Sequence, residues 1–526
     1  VNVVCVGTGK PDRYITARVK RPGSHLVLIG SSTGRDGLGG ASFASRDLAE
    51  DAEAADRPSV QVGDPYTEKL LIDAILAMAE TGKVLSCRDL GAAGLAGASS
   101  EMASTFGAVI YADRVHLRET GMTPREIMLA ESQERMLIEV APEDVALMGE
   151  IAEKYDLRWS DIGEVIEEPR YIVKFHGETV ADLPIDLLVG GAPLCAWDKK
   201  PYSAETPFVR PTMPVKDLAL AVLSHPDVAR KNWVYEQYDK DVQLQSVSLV
   251  HDAAVLRLED KALVLSCGCN PRHIYLKPFE GTANAVIENA SNLACLGADP
   301  LCIVDCLNFA SPEHPETYWQ LEQSILGLGD AARKIETPIV GGNVSLYNES
   351  DEFGTQIKPT PSLGMVGRGE IRRWTAPKSG EKLALIGKTE PDFGGSVLDA
   401  VTGCGGSAPA MADPAVVAVV RDLVREGRVT TATDLSRGGL LAALAKIAPR
   451  ADVTLTGDPL EELFSETYGR FLVAVPDESA LAGVEYRIIG TVGGDALTLR
   501  LKGETVVITP EELETALSTT TRTMRF

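Results

Sequence analysis

Asp89-Leu90-Gly91-Ala92-Ala93-Gly94-Leu95 is written a second time, with substitutions, as Asp434-Leu435-Ser436-Arg437-Gly438-Gly439-Leu440. Two further segments repeat in the same order. Glu131-Ser132-Gln133-Glu134-Arg135, leading into Met136-Leu137-Ile138-Glu139-Val140-Ala141-Pro142, matches Glu466-Thr467-Tyr468-Gly469-Arg470, leading into Phe471-Leu472-Val473-Ala474-Val475-Pro476. His176-Gly177-Glu178-Thr179-Val180 matches Lys502-Gly503-Glu504-Thr505-Val506. The offsets fall from 345 (434 against 89) through 335 (466 against 131) to 326 (503 against 177), as expected when the second copy has shorter loops. A repeat this long indicates duplicated domains rather than a solenoid of short units. Gly7 and Gly23 match Gly367 and Gly380, at offsets of 360 and 357. A motif-rich region, residues 215–365, precedes Gly367, whereas six residues precede Gly7 and the first of them is Val1 rather than a Met. The expectation is a chain lacking the first copy of that region, on the order of 150 residues by analogy. The rival is an unequal duplication that never had it.

With 526 residues the chain is long enough for two to four domains, each with a sizeable core. A hydrophobic content of 44% and a charged content of 24% are those of a soluble globular protein. No apolar run approaches the ~18 residues of a membrane span, no basic–apolar signal segment opens the sequence, and a cytoplasmic location is expected. The formal charge of −24 argues against nucleic acid or anionic lipid as partner. Any polyanionic substrate must then be held locally, by Gly loops, helix N-termini and divalent cations. The nine Cys residues include no CxxC pair, so a structural zinc site is not expected. Cys267/Cys269 and Cys302/Cys306 read as buried thiols in preference to a metal cluster. Cys404, in Gly403-Cys404-Gly405-Gly406, resembles a nucleophile loop but has no nearby His to activate a thiolate.

Leu26-Val27-Leu28-Ile29-Gly30 reads as a buried strand emptying into Ser31-Ser32-Thr33-Gly34-Arg35-Asp36-Gly37-Leu38-Gly39-Gly40-Ala41-Ser42. Such a turn can offer backbone N–H groups to a phosphate, but it matches neither a Walker loop nor a dinucleotide fingerprint. A plain tight turn explains it equally well. The second copy keeps only Asp392-Phe393-Gly394-Gly395-Ser396, so a substrate loop here implies that the copies have diverged in function. Asp64-Pro65 is an N-cap and first-turn pair, with Leu71, Ile75 and Met78 on one helical face and Gly82 ending the helix. Asp89 falls in the connection before the next helix, where capping and ligand binding are both open readings.

Residues 194–214 are Pro-rich and aperiodic and read as a linker. An α/β rhythm follows: two strands within Val255–Leu265, a helix over Ala283–Leu296, the strand Leu301–Val304, a helix over Pro315–Ile335 and the strand Thr337–Val340. Two strands thus end in polar residues, Asp305 and Asn343/Ser345, the places where α/β folds bind ligands. Asp252, Asp305 and the Asn343 amide are hard oxygen donors suited to Mg²⁺ on a nucleotide, although each alone also serves as a cap or turn residue.

These motifs resemble those of the small, bacterial- or archaeal-type phosphoribosylformylglycinamidine synthases (PurL) of purine biosynthesis. The resemblance rests on Thr33-Gly34-Arg35-Asp36-Gly37 with Gly39 to Ser45, on Val60-Gln61-Val62-Gly63-Asp64-Pro65, on Asp89 to Gly94, on Glu131 to Arg135, and on Gly341-Gly342-Asn343-Val344-Ser345-Leu346-Tyr347-Asn348. It runs from the first residues to about Val507.

The resemblance implies an α/β (α+β) fold, a tandem A–B domain repeat of the aminoimidazole ribonucleotide synthase-like superfamily with an internal pseudo-twofold. The expected layout is 1–20 as the last strand of a truncated first A domain, 21–193 the first B domain, 194–214 a linker, 215–370 the second A domain, 371–510 the second B domain and 511–526 a C-terminal tail. The implied reaction is ATP-dependent, Mg²⁺-assisted conversion of formylglycinamide ribonucleotide to the amidine, through a phosphorylated amide attacked by ammonia. Carried over by motif, Gln61, Glu131, Ser132, Gln133 and Ser345 look like substrate contacts, Asp305 and Gly342 like ATP contacts, and Asp89 and Asn343 like Mg²⁺ ligands. The family's catalytic His and ATP-binding Lys belong to the first A domain, and no motif here replaces them. The catalytic residues are therefore expected upstream of Val1. His25, His116, His176, His225, His251, His273 and His314 are expected in structural or surface roles. Gly268 stands where many relatives have Asp, which weakens a metal site there. The implied partners are a glutaminase subunit, PurQ, and a small accessory subunit, PurS. Two rivals remain: another ATP-dependent ligase of the superfamily, and a non-catalytic scaffold that holds MgADP.

Overall fold

The computed structural model describes residues 3–40, 61–238, 240–248, 251–350 and 353–520. The chain forms two compact units, one over Cys5–Ala196 and the other over Val1–Val4 together with Trp197–Phe526.

The first unit contains, in chain order, β1 (His25–Gly30), α1 (Pro65–Glu80), β2 (Ser86–Asp89), α2 (Gly94–Met102), β3 (Gly107–Tyr111), α3 (Pro124–Leu129), β4 (Arg135–Val140), α4 (Val145–Lys154), β5 (Arg158–Ile166), β6 (Arg170–Phe175), β7 (Glu178–Pro184) and α5 (Ile185–Gly190). Its strands make one seven-stranded sheet in the order β2-β4-β1-β5-β3-β6-β7. Strand β1 lies third in that order and is apolar on both sides because both faces of the sheet are covered. Leu26 and Leu28 enter one core with Leu95 and Met102 of α2; Val27 and Ile29 enter the other with Leu71 and Met78 of α1 and Met148 of α4. As the Asp-Pro pair predicts, Asp64 caps α1 by accepting the N–H groups of Tyr66 and Thr67.

The second unit opens with α6 (Val215–Ser224), β8 (Ser246–Ser248), β9 (Ala254–Leu258), β10 (Lys261–Gly268), α7 (Pro271–Leu276), α8 (Pro278–Ala294), β11 (Asp299–Asn308), α9 (Pro315–Lys334), β12 (Ile339–Ser345), β13 (Glu349–Ser350), β14 (Thr355–Gln356) and β15 (Thr360–Gly369). Six of these strands form a sheet ordered β12-β11-β15-β10-β9-β8, with β11 and β12 parallel. Then follow β16 (Lys382–Ile386), α10 (Val397–Thr402), α11 (Ala415–Arg425), β17 (Thr431–Asp434), α12 (Gly439–Ile447), β18 (Ala451–Thr454), α13 (Pro459–Phe464), β19 (Phe471–Val475), β20 (Tyr486–Val492), β21 (Leu497–Leu501), β22 (Glu504–Ile508) and α14 (Pro510–Leu517).

The sequence repeat is a topological repeat. The last seven strands form a sheet ordered β17-β19-β16-β20-β18-β21-β22, which is the first unit's order strand for strand. The irregularities recur too: the register slips between Leu26 and Val27 in the β1–β5 pair, and between Leu383 and Ala384 in the β16–β20 pair. The tight turns between β6 and β7 and between β21 and β22 both use a glycine at positive φ, Gly177 (+84°) and Gly503 (+95°).

Three local expectations need correction. Asp89 is the last residue of β2 rather than part of a connection, and it caps nothing: α2 begins after Ala93, with no side-chain cap. Asp305 and Asn343 lie within β11 and β12 instead of at their ends, since β11 continues to Asn308. Among the described residues 3–24 no strand forms, so the strand expected over 1–20 is not found there; Pro11–Arg13 makes a single 3₁₀ turn. Val1 itself lies outside the described residues.

Candidate functional site

In the first unit the Gly-rich loop after β1 folds onto the segment Ala130–Arg135. Arg135 is fully buried and spends its guanidinium on the loop and its own segment, donating to Thr33 Oγ1 (2.9 Å), Ser132 O (2.7 Å) and Ala130 O (2.7 Å). Burial pulls its pKa down to about 10, so it stays a cation at neutral pH. Ser132 accepts the Gly34 N–H at 3.0 Å and donates to Asp36, whose other oxygen takes Arg118. Arg35 is clamped by Glu119 and Glu126 at 2.9 and 2.8 Å. Gly37 is required for close approach: an added Cβ would sit 2.6 Å from Glu131 Cβ, and its φ is +61°.

This loop is only in part a phosphate cradle. The N–H groups of Ser31, Thr33, Gly34 and Arg35 are spent on Glu134 O, His116 O, Ser132 Oγ and Glu119. Its first half is scaffold. The remainder of the motif, residues 41–60, lies outside the described residues.

Of the expected substrate contacts here, Glu131 and Ser132 are buried and Gln61 is exposed. They are brought together: Gln61 Nε2 donates to Glu131 Oε2 at 2.6 Å, the Ala93 N–H to Glu131 Oε1 at 2.9 Å, and Gln133 Nε2 to Glu131 O at 3.0 Å. Asp89 is exposed and pairs in register with Met136, so β2 carries it to the end of the sheet where Arg135 begins β4.

In the second unit, Asp305 pairs in register with Gly342, and its carboxylate lies over the glycine: a Cβ at 342 would be 2.2 Å from Oδ1. Asp305 has neither ion pair nor hydrogen-bond acceptance among the described residues, and burial alone pushes its pKa up. A half-buried carboxylate without a partner is costly, which is why such groups cluster at ligand sites. Alternation along β12 turns Asn343 and Ser345 to the face opposite Gly342. Ser345 Oγ donates to Asn348 Oδ1 at 3.3 Å. The four residues expected together therefore divide into two pairs, one on each face of the sheet.

Asp252, a metal-donor candidate in the sequence, is buried instead against Lys446 and Thr433. Asp434, the repeat partner of Asp89, is buried nearby, and burial with the charges of Asp252 and Glu288 raises its pKa well above normal. In the second copy Lys446 and Arg437 stand where the first has Glu101 and Ala92, so fixed cations neutralise carboxylates that the first copy leaves open. No group of three or more His, Cys, Asp or Glu residues suited to a metal occurs among the described residues, and the Cys pairs form none. The Cys404 thiol is buried, and burial pushes its pKa up.

Arg135 and Arg470 were not singled out as functional by sequence reasoning. Arg470 donates to Thr389 Oγ1, Thr467 O and Ser465 O, the repeat counterparts of Thr33, Ser132 and Ala130. The available signal was that Glu and Arg four residues apart survive in both copies while everything between them changes.

Residues 21–176 and 378–502 match the family model "AIR synthase related protein, C-terminal domain", and residues 250–369 match the corresponding N-terminal domain. A curated phosphoribosylformylglycinamidine synthase subunit PurL from Methanosarcina mazei is 48% identical, over 100% of this chain and 77% of its own length. This chain belongs to the PurL family. The PurL of Thermococcus gammatolerans is 46% identical over 95% of this chain and 73% of its own. Thermotoga maritima PurL, solved with ATP, covers 92% of this chain and 73% of its own at 28% identity, with a TM-score of 0.68. The same PurL solved with FGAR gives 30% identity and a TM-score of 0.70 over 91% of this chain and 73% of its own.

Proposed function

We propose that this chain is the synthetase subunit that converts formylglycinamide ribonucleotide to the amidine in purine biosynthesis. It is an ATP-dependent carbon–nitrogen ligase. ATP phosphorylates the amide oxygen, ammonia attacks the activated carbon and phosphate leaves. The observation that carries this reading is 48% identity to a PurL synthase subunit along the whole chain. The ATP and FGAR complexes of Thermotoga maritima PurL support the choice of ligands.

The residues assigned are Gln61, Glu131, Ser132, Gln133 and Ser345 to the ribonucleotide, Asp305 and Gly342 to ATP, and Asp89 and Asn343 to Mg²⁺. The donors are hard oxygens without a protein cage. That suits Mg²⁺, which keeps several waters and is held largely by substrate phosphates. Bound there, it would supply charge neutralisation on the phosphates. The Asp305 carboxylate, unpaired among the described residues and lying over Gly342, supports a nucleotide contact. Ammonia is assigned to a glutaminase, PurQ, with PurS as accessory; the PurLQS assembly of Thermotoga maritima supports a multi-subunit enzyme. A cytoplasmic location suits nine free cysteines, which persist where thiols stay reduced.

The test is ADP release by the 526-residue chain with ATP, Mg²⁺, ammonium and formylglycinamide ribonucleotide. Release that needs all four supports the ligase and places the catalytic residues after Val1. Nucleotide binding without turnover that is rescued when the chain is extended upstream of Val1 supports a ligase whose catalytic residues precede Val1; binding without turnover that such an extension does not rescue favours a scaffold that holds MgADP.

A further inference from the structure

The Ser132 hydroxyl has one proton to give, and it is already engaged. It donates to the Asp36 carboxylate and accepts the Gly34 N–H at 3.0 Å, in a residue that is 2% exposed. The N–H groups of Ser132 and Gln133, in contrast, donate to nothing among the described residues. Buried N–H groups without an acceptor are rare in native structures, so a ligand or a water is the expected partner. Glu134 follows at a φ of +56°, a position that the second copy gives to Gly469 (+72°). A residue other than glycine keeps that conformation only where its surroundings hold it there.

Asp36 holds the segment at two successive residues. Its backbone carbonyl accepts the Glu131 N–H at 2.8 Å, and its carboxylate takes the Ser132 hydroxyl. Arg118 braces the other carboxylate oxygen. The Arg118 guanidinium lies over Gly34, where an added Cβ would be 2.3 Å from Nη2, and the Arg118 N–H donates to Thr33 O at 3.0 Å. The second copy repeats the tie without the brace. There the Glu466 N–H reaches Asp392 O at 3.3 Å, and Thr467 Oγ1 donates to Asp392 Oδ2 at 2.6 Å. Asp392 has no ion pair among the described residues, and burial pushes its pKa up.

We propose that Asp36, braced by Arg118, is a positioning residue for the ribonucleotide. It engages the Ser132 hydroxyl and sets the N–H groups of Ser132 and Gln133 toward the substrate's oxygen atoms, so that Ser132 makes its contact through the main chain. The inference rests on the proposed function, which assigns Ser132 and Gln133 to the ribonucleotide. Main-chain donors suit an anionic substrate in a chain of formal charge −24, because the fold fixes their direction and no side chain has to be ordered on binding. Arg35 and Arg135 do not serve instead. The first is bonded to Glu119, Glu126 and Gly121 O, the second to Thr33, Ser132 O and Ala130 O.

The test is a double-mutant cycle on the 526-residue chain, with affinity for formylglycinamide ribonucleotide read by calorimetry and stability by urea titration. Asp36→Ala and Ser132→Ala should each weaken affinity about tenfold, and the double variant no further, because both break one tie. Ser132→Thr, which copies Thr467, should keep affinity within about twofold. Asp392→Ala breaks the matching tie of the second copy and should lower stability while leaving affinity unchanged. Losses that multiply to about a hundredfold in the double variant overturn the proposal, since Ser132 then touches the substrate directly. So does a loss of affinity in Asp392→Ala as large as in Asp36→Ala, which would reduce the tie to general stability. Absence of ribonucleotide binding by the unsubstituted chain counts against the proposed function instead. Hydrogen exchange then decides the tie: amides 131–134 exchange faster in Asp36→Ala and Ser132→Ala if it stands, and unchanged exchange overturns it.

Discussion

Glu466 is the most deeply committed carboxyl of the second copy, and removing it in two ways separates its roles. It is fully buried, and its Oε1 accepts the N–H groups of Val397 and Gly438, each at 2.8 Å. Its Oε2 and His273 Nε2 are 3.5 Å apart and have no other partner among the described residues. Burial pushes the Glu466 pKa up to about 7 and the His273 pKa down to about 3. Between those values Glu466 carries its proton and the His273 imidazole is neutral, so the pair is uncharged. The carboxyl pKa is higher folded than unfolded, so this contribution to stability is full below about pH 4.5 and is lost as pH rises through 7. His273 works the other way: its contribution is present above pH 6.5 and lost toward pH 3. Between pH 6.5 and 8.5 the carboxyl acts almost alone, and its ionisation costs about 0.8 kcal/mol over that range. Glu466→Ala orphans two buried N–H groups and opens a cavity, a loss of about 3–5 kcal/mol. Glu466→Gln keeps the acceptor for both N–H groups, removes the ionisable carboxyl, and costs less than about 1 kcal/mol at pH 6.5. Urea titrations of the three proteins at pH 6.5 and 8.5 provide the assay. The Gln protein should lose the pH dependence. A Gln variant as unstable as the Ala variant, or one that keeps the full pH dependence, refutes the account of a protonated buried carboxyl.

Arg135→Met removes three hydrogen bonds to Thr33, Ser132 and Ala130 and should cost about 3–5 kcal/mol in a urea titration, with weaker binding of formylglycinamide ribonucleotide. Gly342→Ala places a Cβ 2.2 Å from Asp305 Oδ1 and should lower stability by about 1–3 kcal/mol and ATP affinity by more than about tenfold, read by calorimetry. Asp89→Asn should leave stability within about 0.5 kcal/mol, because the side chain is exposed and caps nothing, while raising the Mg²⁺ concentration needed for turnover. Unchanged Mg²⁺ dependence in that variant counts against the ligand assignment.

The repeat was legible because its determinants are local. A buried strand must be apolar, a tight hairpin needs Gly177 or Gly503, and the Asp64-Pro65 pair caps and opens α1. The end of a strand was less legible. The apolar run Leu301–Val304 stops at Asp305, yet pairing with β15 carries β11 on to Asn308. Sheet pairing depends on what a neighbouring strand supplies, and a linear pattern does not contain it. The same holds for Asp89. As a residue near a helix start it reads as a cap, but hydrogen bonding with β4 makes it a strand end, and Ala93 takes the left-handed position that opens α2.

By itself the sequence determined the duplication, the family and the residue types available at the site, since each is carried by short motifs whose spacing survives in one dimension. Only the tertiary structure decided which of those residues meet. It spends Asp252 on Lys446, leaves Asp305 above Gly342 without a partner among the described residues, and turns Asn343 and Ser345 to the opposite face. Partners and faces follow from strand register and from the packing of distant segments, so residues of the same type at matching repeat positions end in different electrostatic surroundings.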